Sequence, residues 1–311
     1  MASGQRRSAV LSPNARGSIY MVIGSLGYVI NDGLVRKATE AGVGVYQALF
    51  LRAAMMVVVL VVIASSRGEM TTRNHLRRPL LTRVTAEVIG AALFFGAIVR
   101  IEFANAQAIL QLVPFAVTLA AAVLLGERVS RAMYAAVLLG LVGVFVVIRP
   151  ATDGFSAWSL LAIGAATMLV VRDLATRDVS DDIPATSVAV STAVGLTALT
   201  GAITAFVGWD PVGADAAIPL CFSVGFLVIG YLFTIQTVRV GDLSVSAPFR
   251  YSVLLGAVVI GYFFFDEVPD GFTIAGSIVI VVSGLWAVHI ERQRSTPLTG
   301  GAGSPTSGRA G

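Results

Sequence analysis

Long apolar runs separated by short polar stretches dominate this chain. Ten runs stand out: Gly17–Val35, Gly44–Ser66, Thr85–Val99, Phe103–Gly126, Ser130–Ile148, Ser156–Val171, Ala185–Val207, Ala217–Val238, Leu243–Phe265 and Phe272–Ile290. A helix needs about 20 largely apolar residues to cross about 30 Å of hydrocarbon, so each run is a candidate span. The runs stay apolar over several turns, whereas barrel strands alternate and last about ten residues. Sheets open to lipid are excluded because their edge amides would go unsatisfied. The pattern predicts an all-α integral membrane protein of ten transmembrane helices, with no room for a separate soluble domain.

The runs also repeat. Val99-Arg100-Ile101 is answered by Val238-Arg239-Val240, 139 residues later, and Gly126-Glu127 by Asp266-Glu267, 140 residues later. Five spans are followed by five related ones, and because five is odd the second set enters the bilayer in the opposite sense. The predicted division is a tail at 1–16, a first unit at 17–148, a connection at 149–156, a second unit at 157–290 and a tail at 291–311. The connection carries the turn formers Pro150, Asp153 and Gly154, and the last segment is rich in Gly, Ser, Thr and Pro, which predicts disorder. Inverted five-helix repeats are typical of carriers, in which one half rocks against the other around a central site.

Charge fits the same reading. With 56% hydrophobic and 13% charged residues, the chain is too apolar for an ordinary soluble domain. Of its 22 basic residues, a cytoplasmic N-terminus places 16 inside and 4 outside, with Arg52 and Arg250 within spans. The positive-inside rule then puts both termini and the Arg67–Arg83 loop in the cytoplasm, and the basic loops face anionic lipid, not nucleic acid. The one cysteine, Cys221, and two histidines, His75 and His289, offer no disulfide, metal cluster or nucleophile–base pair. No cofactor, metal or catalytic residue is expected, and a homodimer is left open.

Polar side chains inside spans mark the candidate site, because they are costly in lipid and face a cavity or a partner. Arg52 lies within Leu49-Phe50-Leu51-Arg52, where it either locks the bundle or receives an anionic group of a solute. In the fourth span Gln107, Gln111, Pro114 and Thr118 share one helical face, and Pro114 breaks the backbone ladder. A shift of 139 carries Gln107 and Gln111 onto Ser246 and Arg250, beside the break at Pro248. Gln111 and Arg250 are therefore expected to line one central path, with Gln107 and Tyr251 among the substrate-binding residues. Tyr28, Tyr46 and Phe249 could also stack on a planar solute, although aromatics near helix ends are ordinary interfacial residues. Asn31-Asp32 closes the first span, and Arg172-Asp173 closes the sixth. Asp32 with Arg36 and Asp173 with Arg177 are spaced as interfacial clamps; the alternative makes Asp32 the partner of Arg52 and hence a gate. Glu127 and Glu267 are expected to act locally, at the N-termini of the helices that follow them, the alternative being a proton-coupling role at the membrane edge.

At this point the residues resemble a family. The five-plus-five layout, the setting of Arg52, the Pro114 helix and the Gly126-Glu127 turn look like the EamA-type branch of the drug/metabolite transporter superfamily, from about Gly17 to Ile290. Asn31-Asp32-Gly33-Leu34-Val35-Arg36-Lys37 and Ala247-Pro248-Phe249-Arg250-Tyr251 are similar to a subset that includes riboflavin and S-adenosylmethionine carriers. The resemblance implies an inner-membrane secondary transporter for a small organic solute, amino-acid-like, riboflavin-like or S-adenosylmethionine-like. The rival readings are an exporter of broad specificity and a non-transporting scaffold or receptor. Asp266-Glu267 departs from the family's usual Gly-Glu, which leaves the tightness of that turn to be tested.

Overall fold

The computed structural model describes residues 12–69, 78–124, 126, 129–149, 156–179, 183–240 and 243–295. Among them ten helices are long and apolar enough to cross a membrane, and no strand occurs. The first three spans are α1 (Pro13–Glu40), α2 (Val45–Ser66) and α3 (Arg78–Ile98). The fourth is split into α4 (Phe103–Leu110) and α5 (Leu112–Leu124), and the fifth is α6 (Arg131–Ile148). The sixth to eighth are α7 (Ser159–Thr176), α8 (Ala185–Val207) and α9 (Ala214–Val240). The ninth comprises α10 (Leu243–Ser246), a 3₁₀ turn (Ala247–Tyr251) and α11 (Ser252–Phe265), and the tenth is α12 (Gly271–Ser295).

Local chemistry sets several ends. Ser12 accepts the Ala15 N–H at 3.2 Å and Pro13 occupies the first turn of α1. Ser130 caps α6 through the Met133 N–H at 3.2 Å, and Asp270 caps α12 through the Thr273 N–H at 2.8 Å. The two proline spans break near the expected places: α4 ends one residue before Gln111, and Pro248 sits in the 3₁₀ turn. Gly126 takes φ 70° and Asp266 takes φ 52°, so the departure from glycine leaves a left-handed residue at both turns.

Packing joins the two halves of the chain throughout. The first span lies on the eighth, the third on the sixth, the second on the seventh and the fifth on the tenth, while α4 of the fourth span meets α11 of the ninth. Exchanging each span for the one five places on converts this set of pairs into itself. Two of the pairs meet through glycines. A Cβ at Gly27 would stand 2.8 Å from the Gly230 nitrogen, and one at Gly276 would stand 2.6 Å from the Gly143 oxygen. Such close backbone approach is how helices associate in lipid, where apolar side chains gain little by leaving the solvent.

Candidate functional site

A cavity of about 720 Å³ lies between the first three spans and the sixth to eighth. Its wall runs along α2 from Arg52 to Leu60, the first half of α3 from Arg83 to Ala91, the end of α7 and the first half of α8. Tyr28 of α1 and Leu227, Tyr231 and Thr234 of α9 complete it. Successive spans alternate in direction, so these segments all converge on the end of the bundle where the chain begins. The cavity mouth is therefore at the N-terminal end, near Val179 and Ile183.

Polar groups and apolar walls alternate inside. Glu87 binds Arg83 at 2.9 Å through one oxygen and Arg172 at 3.5 Å through the other, while the Thr192 hydroxyl donates to it at 3.2 Å. Arg172 also binds Asp173 at 2.7 Å. Met56, Leu60, Val88, Leu196 and Leu227 supply the apolar surface. The Tyr231 hydroxyl is buried without a hydrogen-bond partner. The volume and this mixture suit a small organic molecule held by apolar contact and a few oriented polar groups.

At the closed end stands Arg52, 6% exposed, with its guanidinium 4.9 Å from the Phe95 ring centre. It donates to Asn31 Oδ1 at 3.1 Å, Asn31 Nδ2 donates to Asp32 Oδ1 at 2.9 Å, and Gln107 Nε2 donates to Asp32 Oδ2 at 2.8 Å. One chain of bonds thus ties the second, first and fourth spans. The Nε of Arg52 is buried with no partner, which leaves a charged donor at the cavity floor.

One turn beyond Asp32 the bundle is shut. Arg36 donates to Glu267 at 2.5 Å and to the Ile101 carbonyl at 3.2 Å, and stacks 4.3 Å from the Phe265 ring centre. The other Glu267 oxygen accepts the Phe103 N–H at 2.6 Å, at the positive end of α4. Arg149 pairs with Asp270, and Gln47 exchanges two 2.8 Å bonds with the Asp210 backbone. Glu102, between α3 and α4, is pushed above its ordinary pKa by burial and by the charges of Glu267 and Asp270. Asp270 is held below its ordinary value by the Thr273 backbone N–H, with Arg149 adding to the effect.

Several expected residues stand elsewhere than the repeat suggested. Arg52 reaches the cavity, and Gln107 serves it indirectly through Asp32. Gln111 is 6% exposed at the α4–α5 break, with its Nε2 unpartnered, but it is not on the cavity wall. Arg250 is exposed, and Tyr251 packs so closely on α12 that a Cβ at Gly284 would collide with its hydroxyl. Gln111 and Arg250 therefore do not share the cavity described, because the fourth and ninth spans pair with each other outside its wall. Pro114 and Pro248 act as breaks outside the wall.

The spaced clamps form differently too. Asp32 bonds Asn31 and Gln107 instead of Arg36, and Asp173 takes Arg172. Glu267 acts across the bundle on Arg36 and α4 and not on its own next helix, which Asp270 caps. Glu127 lies outside the described residues. Glu87 was the missed residue; a carboxylate within the run Thr85–Val99 was the available signal. Arg83 was read as loop, but α3 begins at Arg78, and α7 runs on to Thr176, which carries Arg172 and Asp173 into the wall.

Comparison with known proteins agrees with this architecture. Residues 15–149 match the EamA-like transporter family. The chain is 25% identical to the pseudopaline exporter of Pseudomonas aeruginosa over 86% of its own length and 94% of the relative's. It is 27% identical to the riboflavin transporter of Rhizobium johnstonii over 73% and 75% of the two lengths. With an S-adenosylmethionine uptake transporter of Rickettsia felis it shares 24% identity over 58% of its length and 61% of the relative's. A crystal structure of 20% sequence identity superposes with a TM-score of 0.62, covering 90% of this chain and 99% of the other, which shows a shared fold.

Proposed function

We propose that this chain, whose residues 15–149 match the EamA-like transporter family, is a secondary carrier working by alternating access between two inverted units, 17–148 and 157–290. It is a multi-pass membrane transporter of small metabolites, and we place it in an inner membrane with both termini in the cytoplasm. The cavity then faces the cytoplasm, and the Arg36–Glu267 end closes the outer side. The observation that carries the reading is the pairing of these two ends. A solute-sized cavity reaches Arg52 from one face, while the opposite face is tied by Glu267 to two other spans. A rocking motion that breaks the outer ties and narrows the cavity would move Arg52 from one side to the other.

The substrate class follows from the wall. Arginines and phenols beside aliphatic surface suit an amino-acid-like, riboflavin-like or S-adenosylmethionine-like solute, and the relatives above are named for pseudopaline, riboflavin and S-adenosylmethionine. Arg52 would receive an anionic or carbonyl group, and Tyr28 and Tyr231 would stack on a planar one. Similarity to a pseudopaline exporter supports export as the second reading. Uptake of labelled riboflavin, S-adenosylmethionine and amino acids into proteoliposomes, from either side, tests both. Arg52→Lys, which keeps the charge but loses the planar fork, should lower transport at least tenfold while the protein still accumulates in the membrane. Wild-type rates for every solute equal to empty liposomes would favour a non-transporting scaffold.

A further inference from the structure

Asp32 is the carboxylate whose role transport of a solute does not by itself explain. It sits inside the first span, between the cavity floor and the outer closure, one turn from Arg36. Its two oxygens are held by neutral amides, Asn31 Nδ2 at 2.9 Å and Gln107 Nε2 at 2.8 Å, and among the described residues no cation lies within ion-pair distance of it. The charged group that acts on it is Arg52 of α2, reached through Asn31. The other titratable groups on the surrounding elements are committed or remote. Arg36, on its own helix, is taken by Glu267 from the α11–α12 turn, Tyr28, one turn earlier on that helix, bonds Thr234 of α9, Tyr231 of α9 faces the cavity, and Tyr251 of the 3₁₀ turn packs on Gly284. The fourth span contributes only the neutral Gln107. An ionisable group inside a span with no direct counter-ion is a costly arrangement, and proton relays are a common reason for it.

Resting on the carrier reading above, we propose that Asp32 is a proton-binding site that couples to Arg52 through Asn31, so that a proton and an anionic group of the solute bind together. The step is a simple protonation: one O–H bond forms on Asp32 Oδ1 as one O–H bond of a hydronium ion breaks, the leaving group is water, and nothing is oxidised. Ionised, Asp32 only accepts, so the Asn31 amide presents its NH₂ to Asp32 and its carbonyl to Arg52. Protonated, Asp32 Oδ1 becomes a donor and demands the Asn31 carbonyl, and the amide turns over. Its NH₂ then meets Arg52, two donors face each other, and Arg52 loses its acceptor. The guanidinium, its Nε already unpartnered, turns to an anion in the cavity. Deprotonation reverses each bond and returns Arg52 to Asn31, releasing the anion.

The test needs no identified substrate. A single cysteine at Met56→Cys, on the cavity wall, is placed in a Cys221→Ala background in proteoliposomes. Its labelling by a small polar thiol reagent is followed from pH 5 to 9, with rates divided by those of the unfolded protein at the same pH. The normalised rate should change at least threefold with pH, lose that dependence with Asp32→Asn, and regain it at a displaced midpoint with Asp32→Glu. A pH-independent rate in the parent, or a pH dependence that survives Asp32→Asn in well-folded protein, overturns the proposal. Counterflow of labelled methionine and tryptophan in the same vesicles reports on transport separately, because exchange needs no net proton movement. Counterflow that persists in Asp32→Asn while an imposed pH gradient no longer drives accumulation supports the coupling. Counterflow with unchanged gradient-driven accumulation refutes the coupling and leaves the carrier reading standing.

Discussion

Asp266 and Asp270 show how single residues set the α11–α12 turn. Asp266 occupies a left-handed conformation, φ 52°, that glycine adopts at lower cost. Asp266→Gly should therefore raise stability by roughly 1 kcal/mol, read as an upward shift of the melting temperature in detergent. Asp270 carries a pH dependence whose sign is fixed by its lowered pKa. Its contribution is complete above the ordinary carboxylate range and is lost as pH falls through the lowered folded value. Thermal scans across that acid range should slope downward in the parent and flatten in Asp270→Asn. Glu102 works in the opposite sense. Its raised pKa means that the ionised form weakens the fold, so stability recovers as pH falls through that raised value. Glu102→Gln should be more stable than the parent at neutral pH, and a lower melting temperature there would contradict the repulsion from Glu267 and Asp270.

Helix pairs carry the next level of organisation. The first and eighth spans cross at Gly27 and Gly230, and the fifth and tenth at Gly143 and Gly276, where an added methyl would collide with backbone. Overpacking of this kind costs about 1–3 kcal/mol because two rigid helices must separate. Gly27→Ala and Gly276→Ala should each lower thermal stability by that amount. The first pair also borders the cavity through Tyr28, so Gly27→Ala should impair labelling of a cavity cysteine as well as stability. Gly276→Ala, at the back of the bundle, should affect stability alone. Equal effects of the two on cavity access would mean that the pairs do not move independently.

For the molecule as a whole, the Arg36–Glu267 closure and the open cavity are opposite ends of one state. Glu267→Gln removes the charge that holds Arg36 and weakens the cap on α4, so it should shift the population toward an outward-open form. A cysteine at Val99 in the Cys221→Ala background should then react faster with a membrane-impermeant reagent added outside, by about tenfold if roughly 1.4 kcal/mol of bias is removed. An unchanged rate would show that Glu267 is a structural brace and not a gate. The orientation itself is open to a reporter fused after Arg294, which should function only as a cytoplasmic reporter if 16 of the basic residues lie inside.

The sequence by itself determined what depends on run length, composition and local chemistry. The ten spans, their helical form, the proline breaks in the fourth and ninth, and Arg52 as a charge set within an apolar span were all legible in it. Lipid makes these features local, since each helix must satisfy its own backbone and each buried charge stands out against an apolar run. Only tertiary structure decided which faces meet. A shift of 139 relates Gln111 to Arg250 but says nothing about the direction in which either helix is turned, and the fourth and ninth spans proved to pair with each other outside the cavity wall. The same holds for pairing. Asp32 and Arg36 are four apart on one helix, yet each finds a better-oriented partner elsewhere, Gln107 on the fourth span and Glu267 in the α11–α12 turn. Geometry across helices governs those choices, because a hydrogen bond is gained only where donor and acceptor are brought into line.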